Sequence, residues 1–339
     1  MSATGPIGED VSAWDPNALP PLRAGAGAGS ADELVLLTTD SMRARRRPLA
    51  VIALWGWQTL VATFVALPVA AAVASAYGNH PSGDAPLWQP GGLALIDLVV
   101  GARGAGREAL VLAVMTMLAA GFADLFPLAA LIASIGYVTR DRHAPPLRAA
   151  FGRAGTAFTT FATLFAMASL VEAALLGTAL AASALVSHAT LTKLGEARSD
   201  QTGWLVGLVI LGLCVVVGVL HDLARAGAIR FRVKALRAWG LAFNALARAP
   251  AAVLWSWAWR GLAGWVPVAT AALVASRYGG RGGGPLVALF VVHQLVLIAR
   301  VGFRASWLAA ALRAVDSAHR VVGARRATAP NAASAEASY

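Results

Sequence analysis

Long apolar runs, separated by short polar segments, dominate the pattern of residues along the chain. Six of these runs reach the length that a helix needs to cross about 30 Å of hydrocarbon at 1.5 Å per residue. The pattern therefore predicts an all-α, polytopic membrane protein. The predicted transmembrane helices cover 48–76, 108–137, 162–188, 203–220, 250–276 and 286–310.

Polar segments flank the predicted membrane domain, which covers residues 31–320. Residues 1–30 are rich in Gly, Pro and Ala and lack the apolar core of a signal peptide, so they are predicted to form a disordered tail. The same is predicted for 321–339. Within 31–45, acidic, apolar and basic positions alternate, which predicts a short amphipathic helix at the membrane surface.

Glycine and proline residues predict a distortion in the second helix and a close helix contact at the fourth. Gly121, Asp124 and Pro127 lie close together in the second helix, and they predict a kink or partial unwinding near Asp124. Gly203 and Gly207 lie one turn apart in the fourth helix, a spacing that favours close contact with a neighbouring helix.

Composition agrees with a membrane protein, because 58% of residues are hydrophobic and only 13% are charged. A net charge of +11 is also typical of proteins that bind nucleic acid. Here, however, the arginines lie at the ends of apolar runs, where they orient helices in the bilayer. We therefore expect no nucleic-acid partner. The expected partners are the lipid bilayer and either another membrane protein or a second copy of the chain.

The distribution of basic residues predicts the orientation. Of 28 Lys and Arg residues, 19 fall in the four segments that an even number of crossings places on one side, 6 fall in the three opposite loops, and 3 lie within the predicted helices. Both termini are therefore predicted to be cytoplasmic. The strong preference for Arg over Lys is typical of a GC-rich bacterial genome, so the bacterial inner membrane is the expected location.

The first and fifth predicted helices resemble each other in sequence. The matching positions, 202 residues apart, are Pro48 with Pro250, Trp55 with Trp257 and Trp57 with Trp259. The third helix aligns with the fifth at a spacing of 88 residues, mostly through small side chains. We infer three parallel copies of one unit, a helical hairpin preceded by a cytoplasmic amphipathic elbow helix. Chance similarity between Ala-rich helices is the alternative.

Four polar residues within the apolar runs form the candidate site. The repeat alignment places Gln58, Glu172 and Arg260 at one equivalent depth near the middle of the membrane, and Asp124 lies at the predicted distortion. Ionisable groups at this depth usually face protein or a water-filled cavity. Glu172 and Arg260 are predicted to neutralise each other with Gln58 bridging them, and Asp124 is a second candidate partner for Arg260. The cluster either locks the units together or lines a polar pathway.

Motifs for standard chemistry are absent from the sequence, including His-Glu-x-x-His, the P-loop and Gly-x-Ser-x-Gly. We therefore assign no catalytic residue, metal ligand or cofactor. A membrane-embedded enzyme would need two or more of Asp124, Glu172, His221 and Asp222 in one accessible cleft. Asp222 and Arg225, one turn apart at the cytoplasmic end of the fourth helix, are predicted to form a surface ion pair.

Two short motifs lie around the cytoplasmic segment between the fourth and fifth helices. They are Asp222-Leu-Ala-Arg225 and Leu236-Arg-Ala…Asn244…Arg248-x-Pro250. With the elbow plan, they resemble a group of uncharacterised bacterial six-helix inner-membrane proteins, which are similar to the membrane domain preceding some glycerophosphodiester phosphodiesterases. The likeness covers about 31–320 and implies a membrane domain of unassigned role. The phosphodiesterase catalytic domain has no counterpart in the sequence, so no activity or site residue is carried over.

Two functions remain open on the sequence. The leading hypothesis is a non-enzymatic membrane scaffold or accessory subunit, and the alternative is a small transporter or channel that uses the mid-membrane polar cluster. A water-accessible cavity reaching the cluster favours transport, whereas a dry and fully paired cluster favours a scaffold.

Overall fold

Helices form almost all of the described structure, which is a computed structural model. It describes residues 34–38, 41–77, 105–139, 143–278 and 283–328. The α-helices within these residues are α1 (Pro48–Tyr77), α2 (Ala105–Ala123), α3 (Leu125–Gly136), α4 (Leu147–Leu194), α5 (Glu196–Phe231), α6 (Ala235–Arg248), α7 (Pro250–Tyr278) and α8 (Gly284–Thr328).

Six helical stretches in the described residues are long and apolar enough to cross a membrane. This confirms the predicted class, an all-α multi-pass membrane protein. One of the six is formed by α2 and α3 together. Asp124 lies in a turn between these two helices, at the predicted distortion. The helical hydrogen bonds continue through it, since its amide donates to the Ala120 carbonyl at 3.0 Å and its carbonyl accepts from the Leu128 amide at 3.0 Å.

Helix lengths differ from the prediction in the middle of the chain. α4 has 48 residues, about 72 Å at 1.5 Å per residue, which is more than twice the thickness of the hydrocarbon core. The elbow predicted before the third transmembrane helix is not a separate element, because α4 runs unbroken from Leu147. Nothing in its first turns breaks a helix, so the amphipathic lead-in and the apolar segment join. α6 occupies the position of the elbow predicted before the fifth helix.

The C-terminal segment also differs from the prediction where the structure describes it. α8 continues to Thr328, so the predicted disordered tail 321–339 begins inside a helix. Residues 1–30 and 329–339 lie outside the described residues.

A two-stranded antiparallel ribbon replaces part of the helix predicted within 31–45. Its strands are β1 (Leu34–Leu36) and β2 (Tyr137–Thr139), and Leu34 pairs with Thr139. The amide of Leu37 extends the pairing by donating to the Gly136 carbonyl at 3.0 Å. The backbone groups of β1 are thus satisfied by a partner distant in sequence, which local periodicity does not reveal.

Buried side chains concentrate at one end of the helix bundle, which we call the base. It consists of α3, α6, the ribbon and the adjoining ends of α1, α4, α5 and α8. Ile132, Phe161, Leu223 and Leu308 are completely buried there. Away from the base, large apolar side chains such as Val209 are exposed, as expected for surfaces that contact lipid.

Polar contacts to backbone carbonyls connect the elements of the base. Arg47 donates to the Tyr137 carbonyl at 3.0 Å, and the Tyr137 hydroxyl donates to the Ile229 carbonyl at 2.9 Å. The guanidinium of Arg153 donates to the same Ile229 carbonyl at 3.4 Å. Burial lowers the pKa of the Arg47 guanidinium, and the neighbouring charge of Arg46 lowers it further.

α4 and α5 run in opposite directions. They are in close contact where α4 ends and α5 begins. The Ser187 hydroxyl donates to the Ser199 carbonyl at 3.3 Å, and a Cβ atom at Gly203 would lie 2.7 Å from the Ser183 carbonyl oxygen. One turn further along α5, a Cβ at Gly207 would lie 3.5 Å from Ser183 Cβ. The close helix contact predicted from Gly203 and Gly207 is therefore confirmed.

The contact at Gly203 generates a test of this helix pair. We expect Gly203→Ala to lower the free energy of unfolding by about 1–3 kcal/mol, because the added methyl group overlaps the backbone of α4. Thermal unfolding of the purified protein in detergent measures the effect. Gly212→Ala on the same helix is the matched control, since a Cβ there meets nothing within 4 Å and Ala favours helix by about 1 kcal/mol. Equal stability of the two variants would contradict the described packing of α4 on α5.

Candidate functional site

Asp222 on α5 lies at the centre of a buried polar cluster. Only 3% of this residue is exposed, yet its carboxylate accepts hydrogen bonds from three side chains. They are Arg225 Nη1 at 3.3 Å, Arg304 Nη2 at 2.8 Å and Trp307 Nε1 at 2.8 Å. The predicted ion pair between Asp222 and Arg225 is therefore present, but it lies in the interior and not on the surface.

Two helices supply this cluster with the same local spacing. Asp222 and Arg225 lie three residues apart on α5, and Arg304 and Trp307 lie three residues apart on α8, so each pair shares one helix face. A buried carboxylate requires charged or hydrogen-bonding partners, which the face of α8 provides. Arg304 and Trp307 were missed from the sequence. The sequence shows an arginine and a tryptophan three residues apart, which places them on one helix face. It does not show which residue they contact.

Gln58 on α1 contacts Asp124, which lies in the turn between α2 and α3. Gln58 Nε2 donates to Asp124 Oδ2 at 3.0 Å, linking α1 to the turn. Two of the four residues predicted for the intramembrane cluster are thus in contact. Gln58 does not bridge Glu172 and Arg260.

A cavity of about 550 Å³ connects these two groups of residues. It lies among α1, the junction of α2 and α3, α4, α5 and α8. Its polar lining residues are Gln58, Thr59, Asp124, Arg225, Arg300 and Arg304. Three guanidinium groups therefore face one lining carboxylate. Two donors of lining residues, Trp55 Nε1 and Arg225 Nε, are buried and make no hydrogen bond among the described residues.

Arg300 and Arg304 lie between this cavity and a second one of about 370 Å³ next to α7. The Arg304 side chain is 44% exposed, although one of its nitrogens binds the buried Asp222. The Arg300 guanidinium lies 3.8 Å from the centroid of the Trp265 ring, in cation–π contact. Both arginines thus line two cavities at once.

Arg260 and Glu172 are not brought together by the structure. Arg260 lines the second cavity, where its Nε donates to Ser306 Oγ at 3.0 Å and its Nη1 donates to the Ser256 carbonyl at 2.7 Å. Glu172 interacts electrostatically with Arg225 on α5. The alignment of the helices predicted that Glu172 and Arg260 lie at the same depth in the membrane. It could not predict how each helix is rotated about its axis, and this rotation sets the direction of each side chain. The guanidinium of Arg260 therefore donates its hydrogen bonds to Ser306 and Ser256.

A second buried ion pair joins the end of α5 to α8 within the base. Arg230 Nε donates to Asp316 Oδ1 at 2.8 Å, and Arg320 Nη2 donates to Asp316 Oδ2 at 2.5 Å. Neither Arg230 nor Asp316 was predicted, because they are 86 residues apart in sequence. Since no cavity described above is lined by this pair, we assign it to packing of the base.

The requirement set above for an embedded enzyme is not met at the described cavity. Of Asp124, Glu172, His221 and Asp222, only Asp124 lines it. His221 packs parallel to Trp239, with ring centroids 6.5 Å apart. Within the described ranges, no three His, Cys, Asp or Glu side chains are grouped so that they could hold a metal ion.

No protein-family model, curated protein or solved structure matches this chain. The resemblance to six-helix inner-membrane proteins therefore stays a prediction.

The buried cluster generates a second test. We expect Asp222→Asn to lower the free energy of unfolding by about 3 kcal/mol, because the substitution leaves Arg225 and Arg304 without their shared counter-charge. Asp200→Asn is the matched control, since Asp200 is an exposed residue at the other end of α5 and should change stability by no more than about 0.5 kcal/mol. Thermal unfolding in detergent compares them. A loss no larger for Asp222→Asn than for Asp200→Asn would contradict the anchoring role of Asp222.

Proposed function

We propose that this protein is a small membrane transporter that binds an anionic solute in the cavity lined by Gln58, Asp124, Arg225, Arg300 and Arg304. The observation that carries the proposal is the cavity itself, with its three arginines and single carboxylate. A cavity reaching the polar cluster favours transport over the scaffold hypothesis, which required a dry and fully paired cluster.

The charged residues of the cavity lining, three arginines and one carboxylate, favour an anion as the ligand. Asp222 lies outside the lining of the cavity but binds Arg225 and Arg304, so it holds both guanidinium groups in place. Arg300 adds a third positive charge and has an aromatic ring as its neighbour. In surroundings of low polarity, an excess of positive charge is stabilised by a bound anion. Guanidinium groups suit carboxylates and phosphates especially well, since they donate paired hydrogen bonds to two oxygens.

The position of the cavity along the helices also favours transport. Gln58 lies ten residues after Pro48, about 15 Å along α1 and near the middle of a 30 Å hydrocarbon core. Transporters commonly bind their substrates close to this depth. Because Arg300 and Arg304 line two cavities, an anion bound to them is within reach of both.

We further propose that the membrane domain consists of three parallel hairpin units with the base in the cytoplasm of a bacterium. The two helices of each proposed unit are α1 with α2–α3, α4 with α5, and α7 with α8, and the contacts Gln58–Asp124, Ser187–Ser199 and Arg260–Ser306 join them. The arginine-rich segments at the ends of these helices meet in the base, which supports a cytoplasmic location by the positive-inside rule.

The proposal predicts anion binding that depends on Arg300. In lipid nanodiscs, a panel of inorganic phosphate, sulfate, small carboxylates and neutral solutes is tested for thermal stabilisation, followed by titration calorimetry of any ligand found. We expect an anion to stabilise the protein and Arg300→Gln to weaken its binding by about 10- to 100-fold, the effect of losing one charge-assisted hydrogen bond. Uptake of the same anion into proteoliposomes should fall in parallel.

Arg248→Gln is the matched control, because Arg248 is an exposed arginine at the end of α6 that lines neither cavity. We expect it to bind and transport like the unmodified protein. Failure of every anion in the panel to bind, or equal binding by the Arg300→Gln variant, would contradict the proposal and favour the scaffold hypothesis.

A further inference from the structure

A groove of about 1070 Å³ lies between α1 and α8, next to the 3₁₀ turn Ala44–Arg46. Its walls include the apolar side chains of Val51, Ile52, Ile298 and Phe303. Ile52 is 50% exposed, so the groove opens sideways from the helix bundle. In a membrane-spanning protein, an opening of this kind faces the lipid.

All charged residues that line the groove are arginines, within the part of the chain that the structure describes. They are Arg43, Arg45 and Arg313. Arg43 and Arg45 are exposed, and Nη1 of Arg313 donates to the Met42 carbonyl at 2.5 Å, which fixes the position of this guanidinium. The arginines occupy the end of the groove at the base, and the apolar walls extend from there toward the middle of the membrane.

We infer that this groove binds an anionic phospholipid, with the phosphate at the three arginines and one acyl chain along the apolar walls. Along α8, Arg313 and Ile298 are 15 residues apart, about 22 Å, which exceeds the roughly 15 Å depth of one hydrocarbon leaflet. Basic pockets between transmembrane helices bind anionic headgroups, and each arginine near the surface strengthens binding about fivefold. The groove therefore matches a phospholipid in charge, polarity and length.

This site is distinct from the proposed solute cavity, since Arg43, Arg45 and Arg313 do not line that cavity. A lipid bound here would contact α1, the 3₁₀ turn and α8 together. It would thereby fill the gap between the first and the last of the helices in the bundle.

Native mass spectrometry of the detergent-purified protein, titrated with phosphatidylglycerol or phosphatidylcholine, tests the inference. We expect phosphatidylglycerol to bind more tightly than phosphatidylcholine. The double variant Arg43→Gln/Arg45→Gln should weaken phosphatidylglycerol binding roughly thirtyfold. Its matched control is Arg148→Gln/Arg248→Gln, which removes two exposed arginines at the ends of helices outside the groove and should leave binding unchanged.

A second variant tests the shape of the groove without changing charge. A Cβ atom at Gly302 meets nothing within 4 Å, so Gly302→Phe fills the groove without a backbone clash and should reduce phospholipid binding at least fivefold. Gly212→Phe, at an equally open position on α5, is its control. Equal affinity for the two lipids, or equal losses in the groove variants and their controls, would overturn the inference. Neither result would affect solute binding at Arg300, so the two proposals are tested separately.

Discussion

The buried carboxylate of Asp222 joins α5 to α8 beside the solute cavity, and the ion pair between Arg230 and Asp316 joins the same two helices within the base. Asp222 on α5 is itself buried, and it accepts hydrogen bonds from Arg225, Arg304 and Trp307. A charge buried in this way is tolerated only when it is paired and hydrogen-bonded. The pairing therefore constrains how α8 packs on α5, and it also sets the positions of two arginines that line the neighbouring cavity.

The solute cavity lies next to the closely packed base. Close packing at α3, α6 and the ends of the long helices holds the bundle together on one side. Between the base and the lipid-exposed helix segments, the turn at Asp124 and the arginines of α8 surround space that apolar side chains do not fill. The polar residues that line the cavity thus lie at the edge of the closely packed base. The same helix α8 presents Arg300 and Arg304 to the solute cavity and Ile298 and Phe303 to the phospholipid groove.

Features set by local sequence were predictable, whereas features set by distant partners were not. The apolar runs predicted the membrane class, and proline at the first helical position marked the starts of α1 and α7 at Pro48 and Pro250. Gly121, Asp124 and Pro127 predicted a local distortion, and Asp124 lies in a turn between α2 and α3. In contrast, the pairing of β1 with β2 depends on backbone groups about 100 residues apart.

The same distinction applies to the site. Asp222 and Arg225 were recognisable because both partners lie on one helix face, but Arg304 and Trp307 reach them only through the packing of α8 on α5. For Arg260, depth in the membrane was inferred, but the direction of the side chain depends on helix rotation. Ser256 and Ser306 decide its environment, and a serine in an apolar helix gives no sign of its partner.

In the proposed transporter, the cavity contains water, and its lining has more arginines than carboxylates. Cys214 is the single cysteine, so a Cys214→Ser background permits one new thiol to be labelled selectively. Thr59→Cys places this thiol in the cavity lining, and Thr63→Cys places it one turn away on an exposed, lipid-facing part of α1. We expect the cavity thiol to react with charged, membrane-impermeant methanethiosulfonates, and faster with the anionic than with the cationic reagent, whereas the thiol at 63 reacts with neither. An unreactive thiol at 59, or one that prefers the cationic reagent, would contradict the account.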